Sequence, residues 1–560
     1  MILAFEFTYL SQNGALENLL NEMCTDFTMT HVITRDALVV TLFVEDTEKR
    51  LGEFADTLSQ SLPLSLFFKS TSVYVADAMP HAGETKAMSA LPLLFTPKVL
   101  DAIETPNSPS YLLPFKEFTM KRDVLVMSKN NEMIFEGKDA SSLDTLYDKI
   151  VDAMVEGSNV LLPTRHGEYV FGGVQNSAAL SQGAAMDVVA TDLSVVERMV
   201  VIKENEIKAL ASLERPSIRL KVNALFAAKN ILPTQRVTLR LADEWLIYHL
   251  CKRLFARGVH FLLKAPIGTV PCDYRVGYEG VLEPMEPLEV TVLDNGEMLI
   301  VKGSSYASLA LKQSLKKFDV PAFGAFASIM QEHQLFTSNA SCFYLSRTHD
   351  DKFMSYSQEN GMLVLTSVSL PESFEGLFES IAQSNKSGER LMQNYKEAFP
   401  EIYARAQSMV IPANTPKSIY SLWKIAAIVL GLSDDFERAA ECLIENAEDF
   451  GGQKGPRIDY YLQKEEALVS DFNYIKLIRS GISFKLAGTD DTTLSFGHMQ
   501  SLAYFLSDTS DYYKENLGVE KVALAGSLFK YRRLTEMVYK NLKPNHTLCL
   551  NRELPIDDKA

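Results

Sequence analysis

The chain has 560 residues, 47% hydrophobic and 22% charged, with 55 basic against 71 acidic side chains for a net charge of −16. That much apolar surface excludes bulk disorder, and the length predicts several domains at about 100–200 residues each. The acidic balance excludes a long-range electrostatic pull on nucleic acid.

Residues 1–77 switch between two periods. Leu3, Phe5, Phe7 and Tyr9 alternate with polar or small residues, as in a half-buried strand. Leu16, Leu19, Leu20 and Met23 follow at helical spacing. Val32 and Ile33, then the run 38–44, flank Thr34-Arg35-Asp36-Ala37 as a hairpin. Leu51, Phe54 and Leu58 form a second helical stripe before Pro63, and 66–75 is a last strand. The order β-α-β-β-α-β is the ferredoxin-like one. Residues 78–122 carry Pro80, Pro92, Pro97, Pro106, Pro109 and Pro114, which break regular elements. They read as a connector that packs through Leu91, Leu93, Leu94, Phe95, Tyr111 and Phe115.

Residues 123–284 mix strands (124–127, 133–135, 160–163, 169–171, 218–222) with helices (143–155, 204–213, 244–257), and Arg165-His166-Gly167 makes a turn. An α/β domain with a mixed sheet is predicted. Residues 285–560 open with strands at 288–293, 298–301, 322–325, 342–345 and 362–368, followed by helices at 418–430, 435–447 and 494–506. The end reads strand (522–525), Gly526-Ser527, a helix with Leu534, Met537, Val538 and Leu542 on one face, and strand (547–550).

Six cysteines, at 24, 251, 272, 342, 442 and 549, form no CxxC pair. A disulfide framework and a cysteine-rich zinc module are both disfavoured, and no zinc is expected. The start, Met1-Ile-Leu-Ala-Phe-Glu-Phe, lacks the basic region of a signal peptide. With no run of about 18 uncharged apolar residues, no membrane span is predicted. A cytoplasmic location is the expectation.

The tail Val522-Ala-Leu-Ala-Gly-Ser-Leu-Phe-Lys-Tyr-Arg-Arg-Leu, followed by Leu554-Pro-Ile-Asp-Asp, resembles the C-terminal part of HypF, the carbamoyltransferase of nickel–iron hydrogenase maturation. The family has a strand, Gly-Gly-Val-Phe-Gln-Asn-Arg, a helix, a strand and Leu-Pro-x-Asn-Asp. Ser418-Ile-Tyr-Ser-Leu-Trp-Lys-Ile-Ala-Ala-Ile-Val-Leu-Gly-Leu is similar to its Ser-Ser-Met-Gly-Arg-Leu-Phe-Asp-Ala-Val-Ala-x-x-Leu-Gly, and Phe436-Glu-Arg-Ala-Ala to its Tyr-Glu-Gly-Gln-Ala-Ala. Phe323-Gly-Ala, Phe496-Gly-His498 and Thr105-Pro-Asn-Ser-Pro-Ser-Tyr-Leu-Leu-Pro-Phe resemble further family segments. The resemblance implies an α/β and α+β multidomain fold: an acylphosphatase-like ferredoxin-like domain (1–77), a remnant of the zinc-finger segment (78–122), a YrdC-like domain (123–284) and an ASKHA domain, the actin-like ATPase fold (285–560).

The chemistry of that family is sparsely kept. The first strand-to-helix loop, Tyr9-Leu-Ser-Gln-Asn-Gly-Ala-Leu, has no arginine to grip phosphate, and Thr34 or Asp36 falls where an asparagine is expected. Arg35 reads as a solvated turn residue. In 123–284 the family's Lys-Arg-x-x-x-Lys-Pro is absent; Arg165, His166 and Lys203 read as surface polar residues rather than as a pocket. Glu214-Arg-Pro-Ser-Ile-Arg-Leu looks like a family strand entry, with Arg219 in place of an apolar residue.

The best remaining site is the turn at Gly526 and Ser527, where a strand meets a helix and backbone N–H groups can approach phosphate, with Lys530 and Arg532 adding charge. The resemblance implies ATP there. His333, His349 and His498 stand alone, and only Asp558 matches a family metal-ligand position. Two readings stay open. One is carbamoyl transfer from carbamoyl phosphate, through a carbamoyl-adenylate, to the thiol of a HypE-type partner. The other is a catalytically silent scaffold or nucleotide-binding regulator that keeps the domains without their sites. Neither nucleic acid nor membrane is an expected partner.

Overall fold

A computed structural model describes residues 1–81, 95–96, 99–100, 119–174, 186–229, 232, 234–281, 285–315, 318–464 and 468–557. The chain divides into two units, Met1–Leu309 and Ala310–Ala560.

The first unit begins with β1 (Ile2–Tyr9), α1 (Ala15–Asp26), β2 (Thr30–Asp36), β3 (Val39–Glu45), α2 (Glu48–Ser61) and β4 (Phe68–Ala76). The strands form an antiparallel sheet in the order β2-β3-β1-β4, the ferredoxin-like arrangement that the alternating periods predict. Leu16, Leu20 and Cys24 of α1 and Leu51, Phe54 and Leu58 of α2 are buried. Phe54 meets Phe5 and Phe27 edge to face, the arrangement aromatic quadrupoles favour.

The second sheet joins twelve strands: β5 (Thr119–Lys129), β6 (Glu132–Gly137), β7 (Val160–Thr164), β8 (Gly167–Gly173), β9 (Met186–Ala190), β10 (Val200–Val201), β11 (Ser217–Val222), β12 (Arg236–Arg240), β13 (Phe261–Pro266), β14 (Tyr274–Val281), β15 (Glu289–Val292) and β16 (Met298–Lys302). Their order is β16-β15-β11-β12-β9-β13-β8-β7-β14-β5-β6, with β10 on β11. The sheet is mixed: β9 and β12, β7 and β14, and β11 and β15 run parallel. One face is packed by α3 (Ala140–Val155) and α4 (Trp245–Ala256). The other shares a continuous apolar core with the ferredoxin-like sheet.

Two sequence expectations change here. Residues 285–309 do not start the C-terminal domain. Ser217 and Ile218 of β11 pair with Glu289 and Val290 of β15, which returns as the hairpin β15–β16, so the unit ends at Leu309. The 204–213 helix is shorter, Glu204–Leu210. Of the connector, Phe95 is described, buried 4.6 Å from the Trp245 ring. Leu91, Leu93, Leu94, Tyr111, Phe115 and the 105–115 motif lie outside the described residues.

The C-terminal unit carries β17 (Ala340–Tyr344), β18 (Lys352–Ser357), β19 (Gly361–Ser367), β20 (Ser470–Asp471), β21 (Lys521–Ala525) and β22 (Thr547–Leu550), ordered β20-β19-β18-β17-β21-β22. β17, β18 and β19 are antiparallel neighbours, while β17, β21 and β22 run parallel. Among the described residues this unit holds one sheet. Its helices include α5 (Pro321–Glu332), α6 (Ile419–Val429), α7 (Ala439–Asp449), α8 (Tyr474–Leu486), α9 (Asp491–Leu517) and α10 (Arg532–Leu542). The strand expected at 322–325 is the first turn of α5. Pro321 presets the backbone there, and its buried run of small and apolar residues suits a helix enclosed on most sides.

Candidate functional site

Three places in the chain carry the chemistry that the sequence singled out. The first is the loop between β1 and α1. Ser11 and Asn13 are buried in it. Ser11 Oγ accepts from Asn13 N at 3.1 Å, Asn13 Oδ1 accepts from Ala15 N at 2.9 Å, and Asn13 Nδ2 donates to the Tyr306 carbonyl at 2.9 Å. The amides a phosphate would need are thus partly engaged by the loop's own side chains, and the loop is docked on the chain beyond β16. Arg35 is not a solvated turn residue: its guanidinium is 2.5 Å from Glu17 of α1 and mostly buried.

The second place is a charged cluster in the first unit. The β7–β8 hairpin carries Arg165 and His166 at its turn. Thr164 Oγ1 donates to the Gly167 carbonyl at 2.7 Å, and Gly167 takes a left-handed φ of 114°. β12 brings Arg236 and Arg240, which share a strand face because they are four residues apart. β13 brings Lys264, and the segment entering α4 brings Asp243 and Glu244. All seven are buried.

Asp243 is the hub. Its Oδ2 lies 2.8 Å from Arg240 Nη1, 2.7 Å from His166 Nε2 and 3.9 Å from Arg165 Nη2. Burial opposes its charge, but His166 and Arg240 outweigh burial and hold the carboxyl well below its usual range. The second His166 nitrogen lies 2.8 Å from the Met285 carbonyl. Glu244 accepts from the Arg165 backbone N–H at 2.6 Å and ties the hairpin to the α4 terminus. Burial, then Arg240, push Lys264 down to about 8.

Arg165 and His166 are therefore buried groups and not surface polar residues. Lys203 is apart from them, exposed and paired with Asp294. Arg219 is half-buried in β11, in register with Thr238.

The third place is the C-terminal crest of β17, β21 and β22, where three parallel strands release loops side by side. Gly526, with φ of 94°, leaves β21 against the backbone of Leu345. Ser527 Oγ accepts from Arg347 N at 3.0 Å and donates to Asp557 Oδ2 at 3.0 Å, and Ser527 N lies 3.4 Å from the same carboxylate. Tyr344 OH donates to Asp557 Oδ1 at 2.9 Å, Ser346 Oγ donates to Oδ2, and His349 Nδ1 lies 3.3 Å from Oδ1. The anion facing the Gly526 and Ser527 turn is therefore the chain's own Asp557.

Lys530 lies over the Tyr531 ring, and Arg532 pairs with Glu536 one turn along α10 at 2.8 Å. Tyr531 OH and Tyr420 OH both donate to Glu441, which also pairs with Arg347 at 2.6 Å. Asp558 lies outside the described residues.

No family model matches the chain. Protein HydE of Wolinella succinogenes is 27% identical over 524 residues, 90% of this chain and 90% of that protein. A crystal structure of full-length HypF in its phosphate- and nucleotide-bound form superposes with a TM-score of 0.63 and 13% identity, over 99% of this chain and 96% of that one. HypF of T. kodakarensis superposes with a TM-score of 0.67 and 11% identity, over 98% and 96%. The chain has the fold of HypF. This bears out the family resemblance and the α/β and α+β multidomain fold.

Within this fold the three histidines have separate surroundings. His333 Nε2 lies 2.6 Å from the Leu550 carbonyl, His349 sits on Asp557, and His498 is buried with Nδ1 3.0 Å from the Leu494 carbonyl. No group of three or more metal-ligating side chains is found among the described residues. No described helix is long and apolar enough to cross a membrane.

The loop that carries Asp557 is anchored by Glu332 at the end of α5. Its carboxylate accepts from the backbone N–H groups of Arg552 (2.6 Å), Glu553 (3.1 Å) and Leu554 (3.2 Å). Burial nevertheless pushes its carboxyl up to about 7. A raised carboxyl contributes stability that is full below its unfolded value and is lost as pH rises through the folded one. For Glu332 that window runs from 4.5 to about 7. The wild-type C-terminal unit is expected to lose stability across it, and Glu332→Gln to flatten the loss. Thermal melts of both proteins at several pH values check this, and parallel curves would remove Glu332 as the cause.

The residues missed in the sequence had a faint signal. Lys264 interrupts the apolar run Phe261-Leu-Leu-Lys-Ala-Pro, and Arg236 and Arg240 bracket Val-Thr-Leu. Charges inside strand-like runs belong to buried rows that need a counter-charge or a ligand.

Proposed function

We propose that this HypF-like chain serves hydrogenase maturation and that its first unit binds a phosphate-bearing anion at the Arg165, His166, Arg240 and Lys264 cluster. One observation carries the reading. Arg165, Arg240, Lys264 and His166 are gathered in one buried place around the carboxylate of Asp243, with Glu244 beside it. Two buried guanidinium groups, Arg165 and Arg240, converge on the single carboxylate of Asp243, and guanidinium groups match phosphate oxygens in a fixed fork. The HypF relative in its phosphate- and nucleotide-bound form supports the same chemistry by analogy of fold. In this reading the ligand is carbamoyl phosphate or the ATP that activates it, and the carbamoyl group passes through a carbamoyl-adenylate to the thiol of a HypE-type partner.

ATP–pyrophosphate exchange by the purified protein, with and without carbamoyl phosphate, tests the proposal. Exchange that requires carbamoyl phosphate and is lost in Arg240→Met is the expected result; no exchange in the folded wild type would overturn the enzymatic reading. A scaffold role is favoured by a different feature, the Asp557 carboxylate that faces the Gly526 and Ser527 turn. Tight binding of a HypE-type protein without exchange would establish that role instead.

A further inference from the structure

We infer that Lys264 is a carboxylation site, at which the side-chain amine takes up carbon dioxide and the resulting carbamate pairs with Arg240. The inference needs only the amine and its cationic neighbour, and it competes with the phosphate reading for both: a Lys264 that carries the carbamate no longer serves as a cation for phosphate.

Lys264 lies in the middle of β13, in register with Asp187 of β9 and Phe171 of β8. Asp187 is in register with Thr238 of β12. Thr238, Asp187 and Lys264 therefore form a row across one sheet face, and Arg240 stands on that face two residues along. Lys264 is 8% exposed. Among the described residues it makes no hydrogen bond and no ion pair, and its contact is the Tyr169 ring, with Nζ 3.9 Å from the centroid.

A buried amine without a carboxylate at ion-pair distance is poorly held as an ammonium. Burial and the facing Arg240 and His166 oppose the charge; Asp187, Asp243, Glu244 and the Tyr169 ring favour it, and the balance falls to the first group. A lysine so placed presents its nitrogen lone pair near neutral pH, the condition for a nucleophilic amine.

Carbon dioxide is the electrophile that fits, because it is small, uncharged and crosses apolar surroundings without a desolvation penalty. The nitrogen lone pair forms the new C–N bond, one C=O pair moves onto oxygen, and the amine loses a proton to solvent. The product is Lys–NH–COO⁻ plus H⁺, with no oxidant or cofactor required. It places a carboxylate opposite Arg240, whose fork suits it, and adds a negative charge where the neutral amine stood.

The test equilibrates the full-length protein with ¹³C-labelled bicarbonate and carbon dioxide near pH 8, alkylates carbamates with triethyloxonium ion and maps ethoxycarbonyl groups by peptide mass spectrometry. Labelled Lys264 in the folded protein, and loss of that label in urea, is the expected result. Arg240→Met should lower the label roughly tenfold, the effect of about one pKa-unit equivalent of stabilisation. An unlabelled Lys264 beside a labelled α-amino group in the same sample would overturn the inference. So would equal labelling of folded and unfolded protein. Calorimetric titration of inorganic phosphate in carbon dioxide-free buffer reads the proposed function separately, so the two can fail independently.

Discussion

Gly526→Ala is expected to destabilise the C-terminal unit by about 4 kcal/mol, in the range reserved for a change the backbone cannot absorb. Gly526 has φ of 94°, and a Cβ there would meet the Leu345 carbonyl carbon at 2.5 Å and its nitrogen at 2.7 Å, with the carbonyl oxygen closer still. Those atoms are held. Leu345 N donates to the Ala525 carbonyl at 2.9 Å, and its own carbonyl accepts from Leu528 N at 2.9 Å. Relief therefore requires β17 and β21 to separate at the end where Ser346, Ser527 and Asp557 meet. Gly361→Ala supplies the comparison, because Gly361 also has positive φ, 65°, yet nothing lies within 4 Å of the added methyl. Left-handed strain alone costs about 1–2 kcal/mol. Denaturant unfolding of the two variants checks the difference, and equal losses would show that the close approach to Leu345 contributes nothing.

Asp243→Ala is expected to destabilise the first unit by about 3–5 kcal/mol, the usual result of removing one partner from a buried ion pair. Arg240, His166 and Arg165 would all lose their shared counter-charge. The loss should be partly reversed by phosphate or sulfate, since a ligand that binds only the folded state stabilises it by mass action. The variant's Tm should rise more steeply with phosphate than the wild type's. A loss of stability that anions leave untouched would show that the cluster is a structural network closed to ligands. Asp243→Asn keeps the shape while removing the charge, and separates lost packing from lost electrostatics.

The sites were less legible than the fold because their meaning is set by neighbours far away in sequence. Arg165 and His166 occupy a polar turn, and a polar turn is ordinarily at the surface. The turn is instead enclosed by Asp243, Glu244 and the Met285 carbonyl, 77 or more residues later. Arg35 next to Asp36 looks solvated until the hairpin lays it across Glu17. At the other end, Gly526 and Ser527 are readable as a strand-to-helix turn, but the sequence cannot show that Asp557 faces it. Residues 322–325 suit strand or helix over four positions, and only the full length of α5 decides between them.

Local period determined the order of elements in the ferredoxin-like domain, the strands and helices that follow, and the closing strand, turn, helix and strand, because burying one face demands apolar residues at fixed intervals along the chain itself. Motif order determined the likeness to HypF. Tertiary structure alone decided that β15 and β16 finish the first unit's sheet, that Arg165, His166, Arg240 and Lys264 gather around Asp243, and that a carboxylate faces the phosphate-type turn. Strand partners and charge partners are chosen by distance in space, and chain sequence carries that distance only after it has folded.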